Sequence, residues 1–92
     1  MNTETIEVAL GETGSVFQGD LFLSFADWVT SKAVYLKVGA YGKPTHGRAM
    51  GVGDVWYRAG GSGHAYELRI LKISSPDDKI TVSVVPAVRQ TA

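Results

Sequence analysis

Apolar side chains recur along this chain at every second position. Ile6, Val8 and Leu10 are separated by Glu7 and Ala9, and Leu21, Leu23 and Phe25 by Phe22 and Ser24. Val34, Leu36 and Val38 flank Tyr35 and Lys37. The second half keeps the habit, with Tyr66, Leu68 and Ile70 around Glu67 and Arg69, and Ile80, Val82 and Val84 around Thr81 and Ser83. A period of two turns one set towards a core and the other towards solvent, which is how antiparallel strands read. Met50 to Arg58 predicts a further strand, broken or bulged at Gly53. The run Ile70-Leu71-Lys72-Ile73 slips the alternation by one residue, as a bulge does.

The breaks carry turn chemistry. Ser75-Pro76-Asp77-Asp78 suits a type I turn, with proline pre-setting φ at the second position. Ala59-Gly60-Gly61-Ser62-Gly63 predicts a hairpin, and Gly11 to Gly14 another turn. No segment has a convincing helical period. Ala26 to Ala33 is the best candidate, and its β-branched residues and short length allow one helical turn at most.

The expected fold class is therefore all-β: a small antiparallel β-sandwich or closed β-barrel of six to seven strands, in a single domain over residues 1–92. An internal echo adds a pseudo-twofold reading. Val8 to Glu12 resembles Met50 to Asp54, and Val34 to Val38 matches Ile80 to Val84. A duplicated three-stranded unit would then give half-units 5–38 and 50–85, joined by a glycine-rich crossover at 39–49. Pro44 and the glycines of that stretch argue against a regular strand.

Composition narrows the function. Nine Lys and Arg balance nine Asp and Glu, so no global field draws in a nucleic acid or an anionic membrane. There is no cysteine, which removes disulfide and thiolate chemistry. The polar start Met1-Asn2-Thr3-Glu4 does not read as a leader. The expectation is a soluble cytoplasmic protein with no membrane contact and no cofactor.

Candidate chemistry is sparse. Gly42-Lys43 is followed by Pro44 and by no helix, so a phosphate-binding loop fails in residues and context. Gly60-Gly61-Ser62-Gly63-His64 falls one residue short of a nucleophile elbow, and no acid is evidently placed to orient the imidazole. His46 and His64 with Asp54 or Asp20 have no metal-ligand spacing, and no metal is expected. Asp20, Asp27 and Asp54 are not paired as glycosidase chemistry requires. Tyr35 with Lys37, and Trp56 with Arg58, interleave rings and charge as nucleic-acid surfaces do, but Glu67 and Asp54 dilute the pattern. Nucleic acid is disfavoured.

The surplus aromatics are the strongest hint. If Leu21, Leu23 and Phe25 take the core, Phe22 faces away from it. Trp56 and Tyr57 are adjacent, so one of them points outward. Rings among small and polar side chains suit a protein contact. The expected function is a non-catalytic interaction module, not an enzyme, binding a protein partner or a second copy of itself through Phe22, Trp28, Tyr35, Tyr41 and Trp56. The alternative is a small anionic or polar ligand held by Lys43, His46, Arg48 and His64 on two mobile loops. A structural subunit of a phage or bacterial assembly is the third expectation.

Overall fold

The computed structural model describes residues 3–87. Among the described residues eight strands follow one another: β1 (Glu4–Ala9), β2 (Thr13–Val16), β3 (Leu21–Thr30), β4 (Ala33–Ala40), β5 (Lys43–Gly51), β6 (Val55–Ala59), β7 (Ala65–Ser74) and β8 (Lys79–Pro86). They form two antiparallel four-stranded sheets, in the orders β2-β3-β4-β5 and β1-β8-β7-β6. The sheets do not close into a barrel, so the barrel alternative is corrected. The count also exceeds the expected six to seven, because 13–16 and 43–51 are strands. Among the described residues no helix is long and apolar enough to cross a membrane.

Alternation drives the core, as its period demands. Leu21, Leu23 and Phe25 of β3 and Val34, Leu36 and Val38 of β4 are buried. So are Tyr66, Leu68 and Ile70 of β7 and Ile80, Val82 and Val84 of β8. Side chains of both sheets belong to one hydrophobic cluster. The bulge foreseen near Ile70 lies between Ile70 and Lys72, leaving Leu71 outside and returning Ile73 to the position opposite Ile80. The turn at Ser75–Asp78 and the hairpin after Ala59 are also present.

Two local expectations are overturned. Ala26 to Ala33 contains no helical turn. β3 runs on to Thr30, and Ser31-Lys32 makes a two-residue turn into β4. Residues 39–49 are not a crossover between sheets. They hold the end of β4, the turn Tyr41-Gly42 and most of β5, which pairs with β4 in the same sheet. Gly42 provides the positive φ (74°) that this tight turn needs. Pro44 is tolerated because β5 is an edge strand and the register shifts between Val38 and Ala40, so no ladder bond depends on its missing N–H. The sheet change falls later, at Val52-Gly53-Asp54. There Asp54 Oδ2 accepts from Gly51 N (2.8 Å) and Ile70 O from Gly53 N (2.9 Å).

Candidate functional site

The outer face of the first sheet is built by the residues that alternation excludes from the core. Phe22 on β3 stands opposite Ser15 on β2 and Gly39 on β4. Tyr35 on β4 stands opposite Ala49 on β5, and Lys37 opposite Gly47. Tyr35 lies across Gly47: a Cβ at 47 would overlap its ring, so the glycine is what lets the ring lie flat. Beside them is a shallow groove of about 470 Å³ lined by Phe22, Lys37, Tyr41 and the hydroxyls of Thr13, Ser24 and Thr45. Thr13 Oγ1 and Ser24 Oγ are hydrogen-bonded to each other at 2.7 Å. Phe22 is half-buried, while Tyr41, at the hairpin tip, is 84% exposed.

Of the five aromatics singled out in the sequence, the fold brings Phe22, Tyr35 and Tyr41 to this face. The tryptophans go elsewhere. A register shift between Phe25 and Asp27 inverts the parity of β3, so Asp27 pairs with Tyr35 and Trp28 with buried Val34. Trp28 packs edge-on against Phe25 (5.1 Å between ring centroids), and its Nε1 donates to Asp78 Oδ1 at 2.9 Å. Trp56 pairs with buried Leu68 and packs against the core. It is Tyr57 that points outward from β6, 61% exposed, donating its hydroxyl to Glu67 Oε1 at 3.0 Å.

The four candidate ligand residues are divided. Lys43, His46 and Arg48 lie on β5, a strand with one irregularity between Lys43 and His46, and not on a loop. His64 sits in the β6–β7 hairpin within a polar corner that the sequence did not disclose. Asp20 ends the turn from β2 to β3, and its carboxylate gathers three donors. Ser62 N gives to Oδ1 at 2.7 Å, Ser62 Oγ to Oδ2 at 2.7 Å, and Tyr66 Oη to Oδ2 at 2.5 Å. These bonds, that of Tyr66 foremost, hold the Asp20 carboxyl below its ordinary value. Burial, followed by the bond to Asp20, pushes the Tyr66 phenol up to about 12. Phe17 stacks on Tyr66 at 4.8 Å and keeps a left-handed backbone (φ 52°), which a bulky residue adopts only where its surroundings hold it.

Serine, histidine and acid thus do meet, but in the wrong order for nucleophilic catalysis. In a hydrolytic triad the acid binds the histidine and the histidine binds the serine. Here the acid binds the serine. An ionised carboxylate only accepts, so the single Ser62 hydroxyl proton goes to Asp20. His64 Nδ1, 2.7 Å from Ser62 Oγ, must then carry a proton and donate it. An imidazole donating to the serine cannot also be its base. The corner is a clamp joining the β2–β3 turn to the β6–β7 hairpin, reinforced by Gly61 N donating to Asp20 O at 2.9 Å.

Among the described residues no three His, Cys, Asp or Glu stand close enough to hold a metal ion. Comparison with protein families, curated proteins and solved structures finds no match to this chain.

Proposed function

We propose that this chain is a non-catalytic interaction module whose two sheets stack as a β-sandwich and whose first sheet binds a protein partner across its outer face. The single core cluster drawn from both sheets supports the stacked arrangement. The observation that carries the function is the groove at Phe22 and Tyr41. It joins a half-buried ring and a nearly free one to small hydroxyl residues, with Lys37 the single charged residue in its lining. Protein interfaces have this anatomy, aromatic anchors in a sparsely charged centre with hydrogen-bonding groups around them. The groove is open and shallow where a small-molecule pocket would be deep and enclosing.

The test is sedimentation velocity of the purified chain, alone over a range of concentrations and then labelled in a cell extract. The module predicts a saturable complex in the extract that Phe22→Ser and Tyr41→Ser each weaken at least tenfold, while melting curves remain cooperative. Tyr41→Ser touches no core contact, so it separates binding from folding even if Phe22→Ser is unstable. A chain that stays monomeric under both conditions contradicts the proposal. So does a complex that Tyr41→Ser leaves intact. Self-association growing with concentration would make the partner a second copy.

A further inference from the structure

We propose a second site: the open edge between β5 and β6 binds a small oxyanion of phosphate chemistry, gripped by Arg58 with Lys43. It does not rest on the outer-face reading above. A cavity of about 110 Å³ lies there, lined by Val38, Lys43, Pro44, Arg58 and Ala59 among others. It offers two cationic side chains, Lys43 exposed and Arg58 half-buried, in an otherwise apolar lining.

The Nε of Arg58 is closed off from solvent and has no hydrogen-bond partner among the described residues. A guanidinium is a fixed fork of donors and cannot shed its proton, so a buried unpaired N–H on it is costly. Its position over Trp56, 5.2 Å from the ring centroid, stabilises the charge without satisfying that donor. Arg48 approaches the same ring at 6.0 Å, so two like charges meet at one indole. Neither has a carboxylate within ion-pair distance among the described residues; the pairs found there join Arg69 to Glu67 and Lys79 to Glu7. His46 stands opposite Val38, which lines the cavity.

Two cationic side chains, Lys43 and Arg58, line the cavity and call for an anion of matching charge. A tetrahedral dianion can accept from a guanidinium fork and from Lys43 together, whereas a monocarboxylate leaves positive charge uncompensated. The volume of about 110 Å³ admits a phosphate group. Both the free ion and a phosphate carried on a small metabolite offer that group.

The experiment follows the arginine Nε–H resonances and the tryptophan emission during titration with inorganic phosphate at constant ionic strength. Chloride and acetate serve as comparison anions, and a small phosphomonoester distinguishes the free ion from a carried group. The expected result is a saturable shift of the Arg58 Nε–H, a fluorescence change with the same midpoint, and no matching shift at Arg69. Arg58→Gln should weaken phosphate at least about tenfold, and Lys43→Gln by a smaller factor. Tyr41→Ser should leave phosphate binding unchanged, which keeps this site distinct from the outer face. An Arg58 signal that phosphate does not move, or moves no more than chloride does or than Arg69 moves, overturns the proposal. Because that reading is made on the unmodified chain, it stands whether or not Arg58→Gln folds.

Discussion

Two neighbouring turns of the first sheet are held in opposite ways. The turn from β2 to β3 is fastened by Asp20 to Ser62 and Tyr66, by Phe17 stacked on Tyr66, and by Glu4 Oε1 accepting from Phe17 N at 3.1 Å. The turn from β4 to β5 has no comparable fastening: every residue from Tyr41 to Ala49 is exposed, and β5 returns to the core only at Met50. The difference shows where this small chain places its rigidity. β3 and β4 are packed and clamped as a frame, and β5 is laid along that frame as an arm whose both faces meet solvent. Edge strands are natural docking elements, and Lys43, Pro44 and Arg48 are the residue types that keep such an edge from pairing indiscriminately.

Truncating a side chain of the frame and one of the arm should have the most unequal effects. Leu36→Ala in β4 should cost about 2–5 kcal/mol, because a fully buried side chain leaves a cavity. His46→Ala, on the adjacent strand, should change stability by less than about 0.5 kcal/mol. Urea denaturation of both variants measures this; equal losses would make β5 part of the frame.

Next in size is the clamp. Asp20→Ala removes three hydrogen bonds and strands the Tyr66 hydroxyl, for an expected loss of about 2–3 kcal/mol in thermal or urea unfolding. The pH dependence carries the same signature. Asp20 is held below its ordinary value of 3.8, so its contribution is complete above that pH and is lost as the pH falls through the lower folded value. Asp20→Asn should flatten that acid limb. Tyr66 acts with the opposite sign: its phenol is raised from 10.0 to about 12, so its contribution is complete below pH 10 and disappears as the pH climbs towards 12. Ultraviolet titration should find the Tyr66 phenol ionising at about 12, beside a Tyr57 phenol that its bond to Glu67 also raises, and Tyr66→Phe should remove the former.

Smaller still is Gly47→Ala. The new methyl would displace the Tyr35 ring from the flat outer face, at about 1 kcal/mol for an off-rotamer side chain. Partner binding should fall while the fold persists, as sedimentation and melting together report. The least effect on stability belongs to Tyr41→Ser, within about 0.5 kcal/mol.

Legibility in the sequence followed the same division. The frame was readable because Leu21 to Phe25, Val34 to Val38, Tyr66 to Ile70 and Ile80 to Val84 keep strict alternation, and adjacent Ile70 and Leu71 betray their bulge. The bulge at Ala26 has no such signal, since Ala26-Asp27 contains no misplaced large apolar side chain, so unbroken alternation would put Trp28 on the face of Phe22. β5 was unreadable because its strand conformation comes from pairing with β4, while its own composition, with Pro44 and Gly47, argues for a loop. Between Trp56 and Tyr57 the sequence left the outward residue open, and only pairing with Leu68 settles it. The Asp20 corner joins residues 42 and 46 positions apart, a meeting that only the two-sheet topology arranges.

Amide hydrogen exchange on the native chain tests the division between frame and arm most directly. β4 supplies partners on both sides, so the amides it shares with β3 and those it shares with β5 can be compared within one molecule. The β3–β4 amides should exchange only through global unfolding, while those linking β5 to β4 should open at a far lower free energy. Uniform protection across both ladders would contradict that division.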